Sequence, residues 1–174
     1  MKKIIILALV FVSCKSINKV NFTTIDAVYN NTNEKTLQGI INRKIIEADT
    51  TFKWFSTNFK YAQPDAAAIE TFNLKKNKFK MIVFGGTWCE DTQNLLPMFY
   101  KLVEKSDYPQ KKITLVGVNR QKQSGNQFSS QYKIINVPTF IVIDNNNKEV
   151  GRVVEYGKYN AIEKELAEIV NSIK

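Results

Sequence analysis

The sequence predicts an α/β fold in which a mixed central sheet is flanked by helices. Three observations carry this. Across residues 79–174, short apolar runs alternate with segments whose apolar residues recur at helical spacing. Gly, Asn and Asp clusters separate the two kinds of segment. The apolar share (44%) and charged share (24%) of the 174 residues are those of a soluble globular chain with room for one core.

Each element follows in order. Phe79 to Phe84 reads as a buried strand ended by Gly85-Gly86. A helix is predicted over 90–105, with Leu95, Leu96, Phe99, Leu102 and Val103 on its inner face. Ile113 to Val118 is the next strand, and 126–132 a short polar helix. Thr139 to Ile143 is a third strand, turned at Asp144-Asn145-Asn146-Asn147 into a fourth over 149–154. The turn carries an acid and three amides, but it lacks the ligand spacing of a calcium loop. Residues 158–173 close the chain as an amphipathic helix with Ile162, Leu166, Ile169, Val170 and Ile173 inward. The order β-α-β-α-β-β-α gives a mixed sheet covered by helices.

The first 78 residues read differently. Lys15 to Asn33 is polar and without period, so 14–33 is expected to be a tether. Leu37, Ile40, Ile41, Ile45 and Ile46 fall on a helical spacing, and Pro64-Asp65 opens another helix. Between them, Phe52, Trp54, Phe55 and Phe59 suit a second helix or a short strand, which periodicity does not separate; Trp54 and these rings are expected to pack in the core. Residues 34–78 are therefore expected to form a helical N-terminal extension that covers a sheet edge.

Residues 1–13 have the pattern of a secretory signal peptide: Lys2 and Lys3, an apolar run from Ile4 to Val12, then Ser13. The run is shorter than the roughly 20 apolar residues that span a bilayer. Phe11-Val12-Ser13-Cys14 resembles a bacterial lipobox, although Phe11 stands where Leu is usual. The resemblance implies cleavage before Cys14 and acylation of its sulfur, hence a lipid-anchored protein of the cell envelope, facing the periplasm. With Cys14 acylated, Cys89 becomes the one remaining thiol of a chain with two cysteines.

The net charge is +9; without Lys2 and Lys3 there are 23 basic residues against 16 acidic, a net +7. The lysines are dispersed, and no arginine stripe, zinc finger or aromatic RNA-binding motif accompanies them, so nucleic acid is not an expected partner. The chain contains no histidine, which removes every His-based metal site and every Cys-His or Ser-His pair. No metal and no cofactor are expected.

The informative string is Gly85-Gly86-Thr87-Trp88-Cys89-Glu90-Asp91-Thr92, set between a strand and a helix. A cysteine at a helix N-terminus meets unpaired backbone N–H groups and the positive end of the dipole, which favour negative charge on sulfur. Glu90 and Asp91 suit the first helical turn but oppose that charge. Trp88-Cys89, Pro97 eight positions on, Val137-Pro138-Thr139 and Gly157 before the last helix together resemble the thioredoxin-like superfamily across 79–174. The resemblance implies a thioredoxin-like fold, a catalytic Cys89 beside Trp88, and a cis Pro138. It also implies a substrate-binding edge at Val137 and Pro138, where an extended peptide pairs with backbone beside the sulfur.

Two departures accompany it. Thr92 occupies the position of the family's second cysteine, and Val83 that of a buried acid. A second thiol would attack a mixed disulfide and release the partner, whereas threonine can only offer a hydrogen bond to the sulfur. The expected activity is accordingly thiol–disulfide exchange through Cys89 alone, on protein thiols and disulfides or low-molecular-weight thiols, with an external thiol resolving the intermediate. The alternative is a non-catalytic module that binds a peptide or protein in the same groove. Peroxide reduction fits less well, because Gly86 stands three before Cys89 where peroxiredoxin-like sites place a patterned Thr.

Overall fold

The structure, a computed structural model, describes residues 19–29 and 31–174. The leader and Cys14 lie outside the described residues. Six strands form one sheet in the order β1-β2-β4-β3-β5-β6. They are β1 (Asn21–Tyr29), β2 (Thr32–Ile41), β3 (Phe79–Gly85), β4 (Ile113–Gly117), β5 (Thr139–Asp144) and β6 (Glu149–Val154). Strands β3 and β4 pair in parallel and every other pairing is antiparallel, so the sheet is mixed. The helices are α1 (Arg43–Ala48), α2 (Lys53–Tyr61), α3 (Ala66–Lys75), α4 (Glu90–Lys105), α5 (Phe128–Gln131) and α6 (Ile162–Asn171).

From β3 onward the order is the β-α-β-α-β-β-α that the periodicity predicts. The pleat explains why these strands read as continuous apolar runs. Met81, Val83, Leu115, Phe140 and Val142 point into one core layer, beneath α4 and α6. Ile82, Phe84, Val116, Ile141 and Ile143 point into a second layer on the other face, with Tyr132 and Phe128 against it. With both faces covered, alternation between apolar and polar vanishes. Val83, read from the sequence as standing in place of a buried acid, is fully buried in the first layer. The Asp144 turn is a hairpin: its Oδ1 accepts the Asn146 and Lys148 N–H groups, and Asn147 takes φ 61°.

The N-terminal region differs from expectation. The segment expected to be a tether contains β1, and the stretch from Leu37 to Ile46, read as helical, is β2 followed by the short α1. In β2 the inward positions are Leu37, Gly39 and Ile41, a period of two whose middle member contributes no apolar side chain. Gly39 adopts φ +124°, and a Cβ there would lie 2.8 Å from Phe22 Cα. That glycine lets β1 approach and at the same time hides the strand pattern. Strand β1 escaped notice because nearly all of its residues are exposed, so no burial period is imprinted on them. The sheet edge at β4 is thus covered by a strand hairpin rather than by helices.

Helices α2 and α3 do form, the latter capped by Asp65 Oδ1, which accepts the Ala67 and Ala68 N–H groups at 2.9 and 3.1 Å. Phe52 and Phe55 are buried and Trp54 packs against the same core, as aromatic-rich helical segments should. Tyr108, stacked on Phe79 at 4.7 Å, donates its hydroxyl to the Phe79 carbonyl. No helix among the described residues is long and apolar enough to cross a membrane.

Candidate functional site

Strand β3 ends at Gly85, and the chain crosses Gly86-Thr87-Trp88 to reach Cys89, the N-cap of α4. The Cys89 N–H donates to Gly86 O at 2.9 Å, and Cys89 O accepts the Gln93 N–H at 3.0 Å, so the residue closes a turn and opens a helix. Glu90 and Asp91 occupy the first turn. Cys89 is partly buried, and it packs with Trp88 against the second core layer.

The sulfur faces the loop before β5. Cys89 Sγ donates to Val137 O at 3.2 Å, and the Val137–Pro138 peptide bond is cis. Residues 48 positions apart are brought into contact, and Cys89 and Trp88 pack against the same apolar cluster as Val137, with Pro138 next in the chain. Thr92 is also at hand, but it is only 1% exposed. Its Oγ1 accepts the Gly86 N–H at 3.2 Å, and its methyl lies against Gly85, where a Cβ would meet it at 2.8 Å. Thr92 thus braces the loop below the cysteine; the hydrogen bond to sulfur expected from sequence is not the one it makes.

Trp88 is held on several sides. Its Nε1–H donates to Val118 O at 2.9 Å, and a Cβ on Gly86 would meet Nε1 at 2.7 Å. The Arg120 guanidinium lies 4.9 Å from the indole and 3.5 Å from the Tyr29 ring, between the two. Glu34 accepts from Arg120 Nε at 3.2 Å and pairs with its Nη2. Lys122 Nζ lies 5.7 Å from the same indole.

The hairpin also grips the loop directly. Thr87 Oγ1 donates to Lys35 O at 2.9 Å and accepts the Leu37 N–H at 3.2 Å. Gln93 Nε2 donates to Thr87 O at 2.8 Å, and Asn58 Nδ2 to Gln93 O at 2.9 Å, which adds α2 to the support. Behind Lys35, its ammonium meets Asp49 at 2.6 Å; that hydrogen bond first, then the Thr51 N–H, holds the Asp49 carboxyl down at about 2. Between hairpin and loop runs a groove of about 400 Å³, lined by Phe52, Trp54, Trp88 and Arg120 among others. Among the described residues, no three His, Cys, Asp or Glu side chains gather as a metal site.

Sequence reasoning missed Thr87, Gln93, Tyr29, Glu34 and Arg120. Thr87 stood in the informative string itself. Glu34 and Arg120, 86 positions apart, carried no local signal.

A mixed sheet with a helix-capping cysteine set against a cis-proline loop defines a thioredoxin-fold protein. A family model described as Thioredoxin matches residues 28–167, and the chain belongs to that family. The match takes in part of the hairpin and α1 to α3, so the family domain extends well before residue 79, the boundary that sequence motifs alone supported. Among solved structures, an HIV epitope scaffold superposes with a TM-score of 0.55 at 15% identity, covering 75% of this chain and 92% of its own. Thioredoxin from Fasciola hepatica is 23% identical, with 59% of this chain and 88% of that chain covered and a TM-score of 0.43. A thioredoxin pre-protein from Schistosoma mansoni is 27% identical, with 64% and 94% covered and a TM-score of 0.41. No curated protein matches the chain.

Proposed function

We propose that this thioredoxin-family chain carries out thiol–disulfide exchange through Cys89 alone, in the cell envelope, tethered by lipid at Cys14. The fold suggests an oxidoreductase of the thiol–disulfide type, and the contact between Cys89 Sγ and the Val137 carbonyl is the observation that carries the reading. It puts the nucleophile beside exposed chain, since Ile135 and Asn136 immediately before Val137 are exposed. An extended substrate lying there would offer its disulfide to the sulfur.

The chemistry balances with one cysteine. The Cys89 thiolate attacks one sulfur of a substrate disulfide, forming a mixed disulfide and releasing the other substrate sulfur as thiolate. A second thiol, from a small-molecule or protein donor, then attacks the mixed disulfide and returns Cys89 as thiolate. The net result is exchange of the substrate's disulfide partner. Thr92 can take no part in the second step, because it is buried and its hydroxyl is committed to the Gly86 N–H.

Mixed-disulfide capture tests the reading. Wild-type chain exposed to oxidised protein extracts, then quenched with acid, should carry adducts that reduction removes and Cys89→Ser lacks. Adduct yields equal in both would sink it. A second reading is a peptide-binding platform, favoured by the buried Thr92, which leaves the site without a second thiol to release a bound partner. Envelope function retained in full by Cys89→Ser would select the platform.

The lipid anchor is supported by the Phe11-Val12-Ser13-Cys14 string and its apolar leader. Incorporation of labelled palmitate into wild type and its loss in Cys14→Ala is the expected outcome.

A further inference from the structure

The hairpin that covers the edge of β4 presents an edge of its own. Strand β1 pairs with β2 alone and ends the sheet. It runs nine residues, Asn21–Tyr29, and all but Phe22 are exposed. Edge strands of soluble proteins are usually short, bulged, or interrupted by lysine or proline, which keeps another chain from pairing with them. The opposite edge, β6, is protected in this way. It is six residues long, carries Glu149 and Arg152, and meets β5 with a register irregularity at Val142 and Ile143. Strand β1 has an unbroken register and neither lysine nor proline. Its one charged residue, Asp26, lies opposite Lys35 of its own hairpin.

The direction of its free backbone groups follows from the hairpin's grip on the cysteine loop. Lys35 O and the Leu37 N–H turn away from β1, toward Thr87. In an antiparallel ladder, two facing residues either exchange both hydrogen bonds or both turn their N–H and C=O the other way. Asp26 and Thr24 face Lys35 and Leu37, so they direct their own N–H and C=O off the open edge. The period of two adds Phe22 and Val28 to that set. Phe22, Thr24, Asp26 and Val28 are symmetric about Ile25.

We propose that β1 of one copy pairs antiparallel with β1 of a second copy, about a two-fold axis at Ile25, so that the two sheets continue into one. In this register Phe22 faces Val28 of the second copy and Thr24 faces Asp26, each pair exchanging two hydrogen bonds. All the outward backbone groups are then used. A slip of two residues one way sets Asp26 against Asp26, and that like-charge pair opposes it. A slip the other way carries Val28 past the end of the strand it faces. Val28, 72% exposed, gains Phe22 as a neighbour. On the other face Ile25, 38% exposed, meets Ile25 of the second copy. An unrelated extended peptide would satisfy the backbone alone, whereas β1 is complementary to itself in backbone, charge and apolar contact. The proposal rests neither on exchange at Cys89 nor on the anchor at Cys14.

The test is disulfide capture with the full chain in a Cys14→Ala, Cys89→Ser background, which carries no other thiol. Residues that face each other without sharing hydrogen bonds lie about 4.5 Å apart at Cα, within reach of a disulfide. Mild oxidation should therefore link Ile25→Cys chains into a dimer on a non-reducing gel, several-fold more than Thr23→Cys chains. In the proposed register the two Thr23 positions lie about 14 Å apart along the strands. A mixture of Thr24→Cys and Asp26→Cys chains should link better than either chain alone, which reads the register directly. Clustering through the apolar leader would link all of these variants alike. No dimer from Ile25→Cys, a yield equal to that of Thr23→Cys, or a mixture that links no better than its components would overturn the proposal. Because the background lacks both native thiols, these outcomes are independent of whether Cys89 exchanges disulfides.

Discussion

Thr87 Oγ1 donates to the carbonyl of Lys35, 52 positions earlier, at 2.9 Å, and so binds the loop that carries Cys89 to the N-terminal hairpin. Leu37 returns a hydrogen bond to the same oxygen, and Arg120 bridges Glu34 of the hairpin to the Trp88 ring. The hairpin is therefore part of the site's support as well as a cover for the edge of β4.

Arg120 should act as a positioning residue for Trp88. In a Trp54→Phe background, where Trp88 is the sole indole, Arg120→Leu is expected to shift emission to the red as water reaches the ring. The cost in stability should be small, about 0.5–1 kcal/mol. Emission unchanged from the parent would assign the stack no role in holding the indole.

Thr92→Cys should convert the site to a dithiol. The new sulfur would replace a hydroxyl that accepts the Gly86 N–H, at a cost of about 1 kcal/mol. Insulin-type disulfide reduction under a dithiol reductant is expected to appear or rise several-fold, because an internal thiol now resolves the mixed disulfide. Turnover no better than wild type would show that the loop cannot bring the second sulfur into line.

Gly39→Ala should loosen the hairpin. At φ +124° an added Cβ would run into the Asn21 carbonyl and Phe22 Cα, which should cost about 1–3 kcal/mol. For a chain of this size that lowers Tm by about 3–10 °C. A melting curve coincident with wild type would mean that the strand relaxes at no cost.

The Lys35–Asp49 pair makes stability depend on pH. The carboxyl is held at about 2, below its ordinary 3.8, so its contribution is complete above the ordinary value and disappears as pH falls through about 2. The Tm difference between wild type and Asp49→Asn should be constant above pH ~5 and shrink between pH ~4 and ~2. A difference that persists at pH ~2 would assign the stabilisation to packing. Added salt should reduce the effect, since both side chains are partly exposed.

Much of the second half was legible because burial writes itself into sequence. Leu95, Leu96, Phe99, Leu102 and Val103 all face the core on α4, and the Trp88-Cys89 string marks a strand-to-helix junction that the structure reproduces. Strand β1 was not legible, since an exposed edge strand shows neither period nor run. In β2, the glycine that allows close pairing removed the apolar residue a strand pattern needed. At the site, Thr87 and Arg120 act through partners in a distant segment, and Thr92 turned to the backbone rather than to the sulfur. Such couplings depend on which segments meet, and no local pattern records that.

As proposed above, Cys89 is a live nucleophile in a one-cysteine exchange site. Its most direct test is the second-order rate at which Cys89 attacks a small aromatic disulfide at neutral pH, beside free cysteine and Cys89→Ser. The expected rate is about threefold or more above free cysteine, lost in Cys89→Ser, with the adduct released by added thiol. A rate at or below that of free cysteine would contradict it and leave the fold as a binding platform.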